Sequence, residues 1–209
     1  MPELGLFPLG IVLLPTEQIP LHIFEPRYCD LVGGCLTAGE EFGLVLADED
    51  GGLAEIGTRA RVTEVLEQFD DGRLNVVVEG GERFRLLELT EGRAYQTANV
   101  EPVEDVDDPA SPDEIARVLA LFDRLLELTG ETIERPELEA EQVSFAVAAR
   151  FELAPALKQG LLSLRSERER TAMLGDVLET AAATVERGQE IAARAVTNGK
   201  VAPGGDDSA

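Results

Sequence analysis

The sequence predicts an α+β protein: a small antiparallel β-barrel with one inserted helix, followed by a helical bundle with a long last helix. Three observations predict it. Short apolar runs punctuated by Pro and Gly fill the first half. The apolar period switches to helical spacing after an acidic, Pro-containing linker at 106–112. Capping signals at Ser111 and Ser166 then open long periodic stretches. The expected organisation is a β-barrel over residues 1–106, a helical bundle over 107–196 and a disordered tail over 197–209.

Leu4–Phe7, Ile11–Leu14 and Ile19–Phe24 read as short strands, kept irregular by Pro8, Pro15 and Pro20. Pro26 suits the first turn of a helix, Tyr28, Leu31, Val32 and Leu36 follow at helical spacing, and Gly39 closes it. Phe42–Ala47 resumes as a strand, and Gly57 opens a longer one. Asp70-Asp71-Gly72-Arg73 is a hairpin turn, with Leu74–Glu79 as the partner strand. Gly80-Gly81 reads as a further turn, and Arg83–Leu89 and Tyr95–Val103 complete the strands.

In the second half, Ser111-Pro112-Asp113-Glu114 starts a helix that Gly130 stops. A second helix is expected from Pro136 to Phe151, a third from Pro155 to Leu162, and a long one from Ser166 to about Ala195. Phe122 falls on the apolar stripe of the first bundle helix.

Of the 209 residues, 44% are hydrophobic and 28% charged, and the net charge is −23. The acidity is spread over the chain, −14 in residues 1–106 and −9 in 107–209. Such a surface repels phosphate backbones and anionic lipid, so neither nucleic acid nor membrane is an expected partner. No apolar run reaches the length of a membrane span, and no basic secretion start is seen, so a cytoplasmic location is expected. Cys29 and Cys35 on one helix stand too far apart for a disulfide and are expected as free thiols.

Chemistry is sparse. His22 is the only histidine, so no metal cluster is expected, and it reads as structural. No phosphate-binding loop or nucleophile elbow is present, and Lys158 and Ser163 would lie on different helix faces. No catalytic residue and no cofactor is implied. The string Ile19–Tyr28 is the unusual one: an apolar edge strand turning into a helix through Glu25-Pro26. Glu25 stands where a carboxylate can accept helix N–H groups, and Arg27 can pair with it. His22, Glu25 and Pro26 form a structural corner. Phe24, Arg27, Tyr28 and Phe122 are the candidates to face a ligand in a groove between the two halves.

Leu6–Leu9, Val12–Pro15, Pro20–Tyr28, Cys35-Leu36 and Phe42–Leu46, followed by Gly57-Thr58, Asp71–Arg73 and Gly81–Arg85, resemble the N-terminal substrate-binding domain of Lon proteases. The resemblance is dense over residues 4–105. It departs at Thr16, where family members commonly carry glycine, which leaves the turn geometry there open. It implies a PUA-like barrel followed by a helical bundle. Nothing resembling the ATPase or the Ser-Lys peptidase follows in the sequence, so the chain reads as a stand-alone member that is not an enzyme. The implied function is recognition of unfolded or partner polypeptides without cleavage, alongside a protease or chaperone partner. The alternatives are a small-molecule binder or enzyme using the barrel–bundle cleft, and, more weakly, an RNA-binding PUA-like protein.

Overall fold

The computed structural model describes residues 3–136 and 142–198. Six strands and five helices follow in the order β1 (Glu3–Leu9), β2 (Gln18–Ile23), α1 (Pro26–Ala38), β3 (Phe42–Leu46), β4 (Ile56–Gln68), β5 (Leu74–Thr90), β6 (Thr97–Pro102), α2 (Pro112–Thr129), α3 (Val143–Ala148), α4 (Pro155–Ser163) and α5 (Glu167–Asn198). The strands form one sheet in the order β2-β5-β4-β3-β1-β6, and β5 pairs with β6 as well. The length of β5 makes this possible: its first half meets β2 while its second half meets β6.

The sheet is mixed. β1 and β3 run parallel, Leu6 beside Gly43 and Leu9 beside Leu46, which corrects the all-antiparallel expectation. β2 and α1 intervene between the two strands, and such a crossover permits a parallel pair where a hairpin does not.

Two elements of the β half differ from the sequence reading. Residues 11–14 form no strand. Val12, Leu13 and Leu14 are buried, and side chains satisfy their backbone: Leu14 N–H donates to Glu17 Oε2 at 2.9 Å and Leu13 C=O accepts from Thr58 Oγ1 at 2.6 Å. Val12 and Leu14 enter the helical core while Leu13 enters the sheet core, so the segment pins one to the other. Gly80-Gly81 is not a turn either; β5 runs straight through it. A Cβ on Gly80 would lie 2.1 Å from the Leu14 carbonyl oxygen, so the glycine is there for a close crossing of backbones.

The helices follow the capping signals. Ser111 and Glu114 complete a capping box, and Gly39 and Gly130 end α1 and α2 in the left-handed conformation. Ser166 Oγ accepts from Glu169 N–H at 3.1 Å at the start of α5. α5 spans 32 residues and extends to Asn198, past the expected end at Ala195 and into the first two residues of the expected tail. The second bundle helix is shorter than expected, only Val143–Ala148 among the described residues. The remainder of its expected span at 137–141, and the tail at 199–209, lie outside the described residues.

One buried cluster joins Val12, Leu14 and Ile56 of the β half to α2, α3, α4 and α5. The sheet and α1 enclose a second, around Phe7, Ile23, Phe42 and Val76. A buried polar hub ties the halves together. Arg83 of β5 donates to the carbonyls of Leu162 and Leu164 at 2.7 and 2.5 Å and pairs with Asp105. Asp105 also binds Arg170 of α5, which is fully buried and reaches Glu167 at 2.8 Å. Glu167 in turn accepts from Ser144 N–H and Oγ at 2.8 and 2.7 Å.

Candidate functional site

Alternation along β2 builds the first side of the site. Ile19, Leu21 and Ile23 pack toward the sheet core, so Gln18, Pro20 and His22 take the outer face and are exposed. Gly80 N–H donates to Glu17 C=O at 2.9 Å, which fixes the phase of the ladder. The N–H and C=O positions of Gln18, Pro20 and His22 therefore face away from β5. Among the described residues no strand pairs with that second edge. Pro20 has no N–H to offer there.

Past the strand, Phe24 is 61% exposed, and its ring stacks on His22 with centroids 5.7 Å apart. His22 Nδ1 lies 2.6 Å from Asn75 Oδ1, and Asn75 Nδ2 donates to Glu67 Oε2 at 3.1 Å. The carboxylate orients the amide, and the amide oxygen assigns the proton to His22 Nδ1. Phe69 meets His22 edge-on at 6.5 Å. The guanidinium of Arg73 lies 4.7 Å above the Phe69 ring, held by Asp71 at 2.8 Å.

The corner itself is built by α1. Glu25 is the residue before its first turn, with Pro26 starting the helix, but the Glu25 side chain caps no N–H. That expectation is corrected: the carboxylate turns to Arg27, whose Nε donates at 3.0 Å, because a guanidinium is a stronger partner than a backbone amide. Arg27 lies 4.5 Å over the Tyr28 ring. Tyr28 is buried, 4.3 Å from Phe7, and burial pushes its hydroxyl up. Burial also pushes the Cys29 thiol up, and the carboxylates of Asp30 and Asp71 add to it. The 69–73 turn therefore stands beside the first turn of α1. Cys29 and Cys35 are free.

The structure divides the sequence candidates. Phe24 and Arg27 stand at the surface, with His22, Glu25 and Pro26 around them. His22 bonds Asn75 and lies on the exposed face. Tyr28 lies beneath, as support. Phe122 is fully buried and packs edge-to-face on Phe151 at 5.4 Å inside the helical core, so no groove reaches it. Phe69 and Arg73 were not singled out from sequence. The signal for them was the 70–73 turn combined with the pairing of Ile23 with Leu74, which brings Phe69 to the Phe24 end of the sheet.

Among the described residues no group of three or more His, Cys, Asp or Glu is placed to hold a metal, and no helix is long and apolar enough to cross a membrane. Lys158 is engaged by Glu17, and Ser163 Oγ donates to Gln159 C=O at 2.8 Å, so the two form no dyad. A cleft of about 470 Å³ lies where the halves meet, lined by Thr16, Gln18, Arg135, Ala146 and Arg150. A shallower, more apolar groove of about 720 Å³ runs along α4 and α5 over Leu157, Met173, Val177 and Val185.

Comparison with known proteins bears on all of this. A family model described as the substrate-binding domain of ATP-dependent protease La (LON) matches residues 3–180. The Lon protease of Flavobacterium johnsoniae is 30% identical over 191 residues, covering 80% of this chain and 23% of that protein. The Lon protease of Anaeromyxobacter dehalogenans is 34% identical over 140 residues, covering 62% of this chain and 16% of that protein. The chain thus spans about a quarter or less of the curated relatives it matches. The crystal structure of a Lon N-terminal domain protein from Xanthomonas campestris superposes with a TM-score of 0.66 at 29% identity, covering 83% of this chain and 97% of that one. The N-terminal domain of Mycobacterium avium complex Lon protease shares the fold, with a TM-score of 0.63 at 16% identity and coverage of 85% and 98%.

Proposed function

The chain belongs to the family of Lon substrate-binding domains, and from that premise we propose that it holds unfolded or partner polypeptide segments without cutting them. The observation that carries this reading is Phe24. Its ring, 61% exposed, joins the exposed His22 ring and the half-buried Phe69 ring in one surface at the end of a strand whose outer backbone groups are unpaired among the described residues. We read the strand circuit β5-β4-β3-β1-β6, which returns to β5, as the PUA-like barrel that holds the corner rigid, and residues 107–196 as the bundle that braces it. A protease or chaperone that receives the held segment is part of the same proposal.

The test is the binding of fluorescently labelled, reduced casein to the full chain. Micromolar binding that falls about tenfold in Phe24→Ala supports the reading, since central aromatic contacts are worth about 1–2 kcal/mol. Absence of binding at that concentration, or equal binding by the variant, overturns it. An RNA-binding reading is opposed by the −23 charge.

A further inference from the structure

Resting on that polypeptide-binding reading, we propose that the Phe24 corner selects extended segments carrying arginine or lysine between apolar side chains. The exposed rings of His22 and Phe24 and the half-buried ring of Phe69 form one surface. Carboxylates cluster around it: Glu25 adjoins Phe24 and Asp70 adjoins Phe69 in the chain, Glu67 reaches His22 through Asn75, and Asp30 and Asp71 stand beside Cys29 in the first turn of α1.

Among the described residues, the cations that pair within this group are Arg27 and Arg73, and both are spent locally. Arg27 pairs with Glu25 at 2.8 Å, and Arg73 with Asp71 at the same distance. Among the described residues no basic side chain pairs with Asp30, Glu67 or Asp70. The corner therefore keeps an excess of negative charge around its apolar rings. The local aromatics also show their preference. Each of these guanidiniums lies over a ring, Arg27 on Tyr28 and Arg73 on Phe69, while Phe24 has no cation over it. A guanidinium from a partner fits that open face and the unpaired carboxylates together. The free edge of β2 adds carbonyl acceptors at Gln18, Pro20 and His22, and the missing Pro20 N–H leaves it richer in acceptors than donors. An acidic segment meets repulsion at every one of these points, and the charge of the whole chain opposes a second copy as the occupant.

Fluorescence anisotropy on the full chain distinguishes the outcomes, using three labelled peptides that share Phe, Leu and Val positions and carry Arg, Gln or Glu between them. The Arg peptide is expected to bind about tenfold tighter than the Gln peptide at about 0.05 M salt, with the preference shrinking to about twofold at 0.5 M. The Glu peptide is expected to bind weakest. Equal affinity of all three overturns the selectivity while leaving polypeptide binding intact; binding of none overturns the polypeptide-binding reading itself. The double variant Asp30→Lys, Asp70→Lys changes two exposed side chains that hold no ion pair, so it tests the corner without loosening the fold. Loss of the Arg preference in that variant supports the assignment. An unchanged preference assigns the attraction to the acidic chain at large and overturns it.

Discussion

Arginine and carboxylate meet in two regions of this molecule with opposite consequences. At the hub between sheet and helices, Arg83 and Arg170 are buried and converge on Asp105, and Arg170 also holds Glu167. At the Phe24 corner, Arg27 and Arg73 pair with Glu25 and Asp71 while half exposed. Desolvated charges tolerate no missing partner, so the hub serves stability. Solvated pairs contribute little to folding, so the recognition role proposed for the corner places no demand on the fold's stability. Burial, more than residue type, separates the two roles.

Removing Asp105 probes the contrast hardest. Asp105→Ala removes the carboxylate that pairs with buried Arg83 and one of the two that pair with buried Arg170, and is expected to cost about 3–5 kcal/mol, seen as a lower urea midpoint at unchanged slope. The same carboxyl gives the hub a pH dependence. Burial alone would raise its pKa, but the bonds and charges of Arg170 and Arg83 hold it below its usual value. A lowered folded pKa stabilises fully above the unfolded value of about 3.9 and is lost as pH falls below it. Urea midpoints of the wild type should therefore drop below about pH 4, and those of Asp105→Ala should drop less. Phe24→Ala is the opposite case. Its stability is expected within about 0.5 kcal/mol of the wild type, and a larger loss by thermal melting would mean that the ring is part of the fold's support.

Thr16 separates strain from recognition. Thr16 has φ +66°, the only positive φ on a non-glycine residue among those described. Its N–H donates to Gly80 C=O at 2.8 Å, which keeps it there. Thr16→Gly removes the steric cost of the left-handed conformation and is expected to stabilise by up to about 1 kcal/mol, with the melting temperature rising and casein binding unchanged. A φ of this kind is one that glycine adopts without strain, which is the physical reason for the glycine that the resemblance implies at this position.

Local chemistry was readable where it decides structure alone. Pro26 and Gly39 bracket α1, and Ser111, Glu114 and Gly130 bracket α2, because caps involve residues only a few positions apart. Of the candidate site, Phe24, Arg27 and the Glu25–Arg27 pair stand where one short string placed them. Phe122 was indistinguishable from a surface ligand contact, because an apolar helical stripe does not say what covers it. The Gly80-Gly81 pair carried the composition of a turn and the role of a crossing.

The sequence by itself determined the passage from a β half to an α half, the ends of α1 and α2 and the acidic character, since each follows from neighbours along the chain or from composition. Only the tertiary structure decided that β1 and β3 lie parallel, that residues 11–14 bridge two cores, that Asp105 receives two arginines, and that Phe69 and Arg73 join Phe24. Each of these is a meeting of residues far apart in the chain. Such meetings depend on strand register and packing, which no local pattern encodes.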